Sequence, residues 1–172
     1  DGVLGKKPNG NHWNQPTPDG RQVCPHAFIG IDKNGKVRIY QTLPWDIEGW
    51  HSGKGSKGSA NKSGYIGVEI CEDAKNNKAY FMEAIGLLNQ LTAWLSEVYG
   101  FAINNKTLIS HSEGHKLGIA TNHADIEHWS KKFGYTMDSA RADVKKLLSG
   151  STQPKQTVKE NLKIDGLWGP AT

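Results

Sequence analysis

The chain has 172 residues, of which 21 are Lys or Arg and 17 are Asp or Glu, for a formal net charge of +4 at pH 7. That length holds one domain with a tail rather than two full domains of ~100–200 residues each. The mild, dispersed charge suits an anionic polymer, while the lack of any Lys/Arg block argues against nucleic acid, and no apolar run approaches the ~20 residues of a membrane span.

Two cysteines, Cys24 and Cys71, allow at most one disulfide and no cysteine-only zinc cage. The opening Asp1-Gly2-Val3-Leu4-Gly5 shows neither a leader pattern nor an initiator Met, so residue 1 is expected to be a cut boundary. Residues 1–25 are polar and rich in Gly, Asn and Pro, and read as irregular. Ala27 to Ile31 and Lys36 to Thr42 alternate as strands, and Asn34-Gly35 between them is a hairpin signal because both residues tolerate positive φ. Residues 52–64, dominated by Gly, Ser and Lys, are expected to form a flexible loop, and Tyr65 to Ile70 a third strand. Apolar residues at Phe81, Ile85, Leu88, Leu91, Leu95 and Val98 predict a helix over 80–99 that stops at Gly100. Thr107 to Ser110 reads as a short strand leading into a His-rich loop at 111–128. Thr136 is a candidate N-cap for a last helix marked by Ala140, Val144, Leu147 and Leu148. Strands separated by helices predict an α/β domain with a mixed central sheet flanked by helices. Residues 149–161 have linker composition.

The titratable residues fall in two neighbourhoods. His26 and His51 bracket the hairpin, and His111, His115, His123 and His128 crowd together with Glu113, Asp125 and Glu127. Imidazole and carboxylate are both good ligands for zinc and related ions, although the spacing is not His-Glu-x-x-His. A polar loop of solvated histidines has equal standing on composition alone. Glu69 adds to the case. Alternation puts Ile66, Val68 and Ile70 on one strand face and Tyr65, Gly67 and Glu69 on the other, and a strand carboxylate is costly unless it faces water, a partner or a site. Gly67 clears space beside it.

At these residues the chain resembles the zinc-dependent N-acetylmuramoyl-L-alanine amidases of the type 2 class, which include phage endolysins and peptidoglycan recognition proteins, and in particular amidases of clostridial phages and prophages. The matching stretches are Pro25-His26-Ala27-Phe28-Ile29-Gly30, Gly49-Trp50-His51-Ser52-Gly53, Tyr65-Ile66-Gly67-Val68-Glu69, and the segment from Ser110-His111-Ser112-Glu113 to Asn122-His123-Ala124-Asp125. The resemblance runs from about residue 10 to 148. It implies His111 and Asp125 as zinc ligands, Glu69 as the carboxylate that activates water, and His123 as a polar group near the scissile carbonyl. It also implies His26 and His51 as substrate-binding residues. The substrate implied is bacterial peptidoglycan, cut between N-acetylmuramic acid and L-alanine by a lytic enzyme that acts at the cell wall and is either released from the cytosol at lysis or secreted. A further zinc ligand is expected on a strand upstream of residue 10, so that residues 1–148 form a catalytic domain lacking its N-terminal strand. His12 is the only early histidine. Leu162 to Thr172 resembles the opening of a truncated peptidoglycan-binding module. The competing expectations are a peptidoglycan-binding protein without catalysis and a zinc hydrolase of some other amide.

Overall fold

The computed structural model describes residues 22–72 and 77–150, and the backbone of 162–164. Strands β1 (Ala27–Ile31) and β2 (Val37–Gln41) form the expected antiparallel hairpin, with Ile29 opposite Ile39. Asp32 closes its turn by accepting from the Asn34 and Lys36 amides at 2.8 and 3.0 Å. Strand β3 (Val68–Ile70) lies parallel to β1, with Phe28 opposite Glu69. It is shorter than the sequence predicts and starts just after Gly67, whose carbonyl accepts from the His26 and Ala27 amides at 2.8 and 3.3 Å.

Helix α1 (Lys78–Tyr99) is capped by Asn77, whose side chain accepts from the Ala79 and Tyr80 amides, and ends at left-handed Gly100. Helices α2 (His111–Leu117), α3 (Glu127–Ser130) and α4 (Met137–Ser149) follow, the last capped by Thr136 as its sequence predicts. Strand β4 (Leu162–Ile164) runs parallel to β2 and gives the sheet order β3-β1-β2-β4. Leu162–Ile164 are thus an edge strand of this sheet. The expectations for residues 1–21, the linker over 151–161 and residues 165–172 fall outside the described residues.

The core lies between the sheet and α1. Ala27, Ile29 and Ile39 from the hairpin meet Phe81, Ala84, Ile85 and Leu91 from the helix, all at most 3% exposed. Trp129 joins them at 2% exposure, its ring centroid 4.9 Å from Phe81 and 5.9 Å from Tyr80. A buried aromatic of this size is worth ~3–5 kcal/mol against truncation, so Trp129 anchors the His-rich segment to α1. Thr107 to Ser110 do not form the expected strand. The Thr107 and Leu108 amides turn back to the Asn104 carbonyl, and the Leu108 carbonyl accepts from Arg141 Nε at 3.0 Å. Among the described residues no helix is long and apolar enough to cross a membrane, and Cys24 and Cys71 are free thiols.

Candidate active site

A cleft of about 1020 Å³ opens beside β3. One half is polar, lined by His26, His51, Glu69, His111, Asp125 and His128. The cleft's apolar lining includes Ile66, Val68, Ile70, Leu88, Leu95 and Leu108, and the outer edge of β3 has no strand partner among the described residues.

His111 opens α2, in a segment the sequence presents as loop. Its backbone is fixed by a capping box: Ser110 Oγ accepts from the Glu113 amide at 3.1 Å, and Glu113 accepts from the Ser110 amide at 3.3 Å, worth about 1 kcal/mol. Ser110 Oγ donates to Glu127 at 2.7 Å, and the Arg141 guanidinium pairs with both Glu113 and Asp138. Glu113 and Glu127, grouped in the sequence with the candidate ligands, are therefore spent on holding α2. The Ser112 amide reaches the Asp125 carbonyl at 3.4 Å and draws the two ends of the segment together.

Asp125 is the centre of the polar half. Its Oδ2 lies 4.0 Å from His111 Nδ1 and 3.9 Å from His123 Nδ1, and its Oδ1 lies 3.8 Å from His128 Nδ1. The rings of His111 and His123 are 4.9 Å apart. His128 also bonds Glu72. Desolvation opposes its protonation, but the hydrogen bonds to Glu72 and the Ala124 carbonyl and the charges of Glu72 and Asp125 outweigh that and raise its pKa. Desolvation, then the neighbouring His123, lowers that of His111. Glu69 faces the cleft from β3. Desolvation there, followed by the charge of Asp125, holds its carboxyl above the usual range.

Tetrahedral zinc, with bonds of about 2.0–2.2 Å to nitrogen and oxygen, sets its donors roughly 3.3–3.6 Å apart. His111 Nδ1 and Asp125 Oδ2, at 4.0 Å, need to close by only a few tenths of an ångström, and both are zinc donors in kind. Among the described residues no group of three or more His, Cys, Asp or Glu side chains is arranged to hold an ion. The pair therefore fits as half of a centre.

His26 borders the cleft from a buried position. It is 2% exposed, and both ring nitrogens are engaged within the protein: Nδ1 accepts from the Gly67 amide at 2.9 Å and Nε2 donates to the Ile47 carbonyl at 2.8 Å. What it contributes to the site passes through Gly67 and Ile47. His51 stands edge-on to it at 6.1 Å. Burial, then His26, pushes the pKa of His51 down to about 4, so this ring is neutral at pH 7. The space that Gly67 clears belongs to His51, because a Cβ at Gly67 would lie 2.2 Å from His51 Cδ2. Gly67→Ala is expected to lower stability by about 1–3 kcal/mol through overpacking. It should be read as a lower urea midpoint, and an unchanged midpoint would show that the ring is not confined.

The glycine-rich loop at 52–64 is not the flexible element its composition suggests. It is laid against residues 118–121 by Lys57 N to Gly118 O and Ala60 N to Ile119 O, both 2.7 Å, and Thr121 N to Ser52 O, 2.9 Å. A Cβ at Gly55 would lie 2.3 Å from the Gly118 carbonyl oxygen, so glycine here marks close approach. Buried Asn61 accepts from the His51 and Ser52 amides and donates to Gly53 O and Ser59 Oγ. Sequence reasoning missed Asn61, Glu72 and Thr121: Glu72 and Thr121 act through partners 56 and 69 residues away, and Asn61 through amides at the start of a loop that reads as flexible.

Residues 5–128 match the family model described as N-acetylmuramoyl-L-alanine amidase. Of the curated proteins, the chain is 56% identical over 36 residues to the N-acetylmuramoyl-L-alanine amidase CwlH of Bacillus subtilis (strain 168), covering 21% of this chain and 14% of that protein. It is 49% identical over 43 residues to the N-acetylmuramoyl-L-alanine amidase XlyA of the same organism, covering 25% of this chain and 14% of that protein. Each match thus spans a small part of the relative's length. Among solved structures, the hydrolase AmiA of Staphylococcus aureus, crystallised with its ligand, superposes with a TM-score of 0.61 at 24% identity, over 77% of this chain and 63% of that one. That likeness supports the mixed α/β fold.

Proposed function

The chain belongs to the N-acetylmuramoyl-L-alanine amidase family, and from that premise we propose that it hydrolyses the amide between N-acetylmuramic acid and L-alanine in bacterial peptidoglycan. The observation that carries this is the grouping of Glu69, His111 and Asp125 around one cleft, with His123 beside His111 and Asp125. We further propose zinc as the cofactor, held by His111 and Asp125. It would supply a Lewis acid for the carbonyl and lower the pKa of water to ~7. The third donor is assigned to a strand laid along the outer edge of β3, which has no strand partner among the described residues and borders the cleft.

The chain's own residues do the rest. Glu69 takes a proton from the attacking water and returns it to the leaving amine, which a carboxyl held above the usual range does well. His123 lies beside His111 with its side chain 61% exposed, so its N–H is free to donate to an oxyanion developing at the metal. His51 lines the substrate groove, and His26 positions Gly67 at the start of β3. The setting is a cell-wall lytic enzyme or endolysin, secreted or released at lysis.

Digestion of purified cell walls tests the reading. New N-terminal alanine is the expected product. New reducing sugar ends would instead mean glycan cleavage, and binding without either product would mean a peptidoglycan-binding protein.

A further inference from the structure

Thr121 touches His111 from the side opposite Asp125. His111 Nε2 and Thr121 Oγ1 are 3.1 Å apart, and Thr121 Oγ1 also lies 3.2 Å from the Ser52 carbonyl oxygen. A carbonyl oxygen only accepts, and a threonine hydroxyl has one proton to give. With that proton on Ser52, Thr121 can only accept from His111, which requires His111 to carry its hydrogen on Nε2. The lone pair is then on Nδ1, the atom 4.0 Å from Asp125 Oδ2. Thr121 is held in this pose from two further directions. Its amide donates to the same Ser52 carbonyl at 2.9 Å, and its methyl group sits where Gly53 lacks a side chain, since a Cβ there would lie 2.6 Å from Thr121 Cγ2.

We propose that Thr121 is a positioning residue that fixes His111 as the Nε2–H tautomer and so presents its Nδ1 lone pair, together with Asp125, to a divalent cation. The inference rests on the metal reading given under Proposed function. It adds that the loop starting at Ser52 orients the metal-ready His111 through the Thr121 hydroxyl, which acts beside a backbone hydrogen bond between Thr121 and the same ring. Outer hydrogen bonds of this kind orient a histidine ligand, and their loss costs ~10–100-fold in metal affinity.

The test compares wild type, Thr121→Val and Thr121→Ser in the full chain. Val keeps the methyl packing and removes the hydroxyl, while Ser keeps the hydroxyl. In the metal-free proteins, imidazole 15N shifts report the His111 tautomer, and in parallel zinc and cobalt(II) affinities are measured by calorimetry and visible absorption. The expected result is an Nε2–H tautomer in wild type and Thr121→Ser and a mixed one in Thr121→Val. Metal affinity should fall ~10–100-fold in Thr121→Val and recover in Thr121→Ser. An Nδ1–H tautomer in wild type, or a Thr121→Val variant matching wild type in tautomer and affinity, overturns the proposal. A wild-type chain that shows the expected tautomers but takes up neither metal supports the tautomer assignment of Thr121 and overturns the zinc reading instead.

Discussion

Glu69→Gln is expected to lower cell-wall turnover at least about a hundredfold with the fold intact, the usual cost of removing a positioned general base. Glutamine keeps the shape of the side chain and loses only the ability to take a proton. The substitution should also stabilise the protein. The carboxyl of Glu69 is raised by desolvation first and by Asp125 second, so the folded chain holds its proton more tightly than the unfolded chain does. A raised carboxyl pKa means that ionising Glu69 opposes folding. The penalty is absent below about pH 4, the ordinary glutamate range, and complete once the pH exceeds the folded value. Thermal unfolding should therefore place Glu69→Gln above wild type at pH 7 and level with it below about pH 4. A variant that is slow and also less stable at pH 7 would mean that Glu69 supports the fold. Near-wild-type turnover would remove it from the chemistry.

How much of this was legible in the sequence depends on the range of each interaction. The hairpin, α1 with its Gly100 stop and the Thr136 cap of α4 are set by neighbours within a few residues, and they form where their patterns place them. The alternation that puts Glu69 opposite Val68 and Ile70 is equally local. Thr107 to Ser110 have strand-like composition, yet their backbone is claimed by Asn104 and by Arg141, which lies 33 residues from Leu108. Residues 52–64 read as flexible because glycine has two meanings. Only the approach of Gly118 to Gly55 shows that close contact is the one at work. Among the acidic residues near His111, composition cannot tell Asp125 from Glu113 and Glu127. Their partners do so, because Ser110 and Arg141 take up the glutamates and leave Asp125 between three imidazoles.

That separation gives the last expected result. Asp125→Ala should lower zinc affinity by well over tenfold, since even the outer partners of a zinc ligand are worth ~10–100-fold, and His111→Ala should match it. Asp143→Asn is the control. Asp143 accepts from the Tyr135 hydroxyl at 2.9 Å on α4, and asparagine retains an acceptor there, so zinc uptake should be unchanged. Equal zinc uptake in Asp125→Ala and Asp143→Asn would exclude Asp125 as a ligand. His123→Ala separates the remaining roles. Its Nδ1 is as near to Asp125 Oδ2 as that of His111, 3.9 against 4.0 Å, so distance does not rank the two rings. Their surroundings do: the His111 side chain is 14% exposed and bonded to Thr121, while that of His123 is 61% exposed. A ligand must be held before the ion arrives, whereas a group that steadies charge on a substrate must be free to reach it. His123→Ala should therefore keep its zinc and lose rate. A loss of zinc equal to that of His111→Ala would make His123 a ligand and return Asp125 to the task of orienting the two histidines.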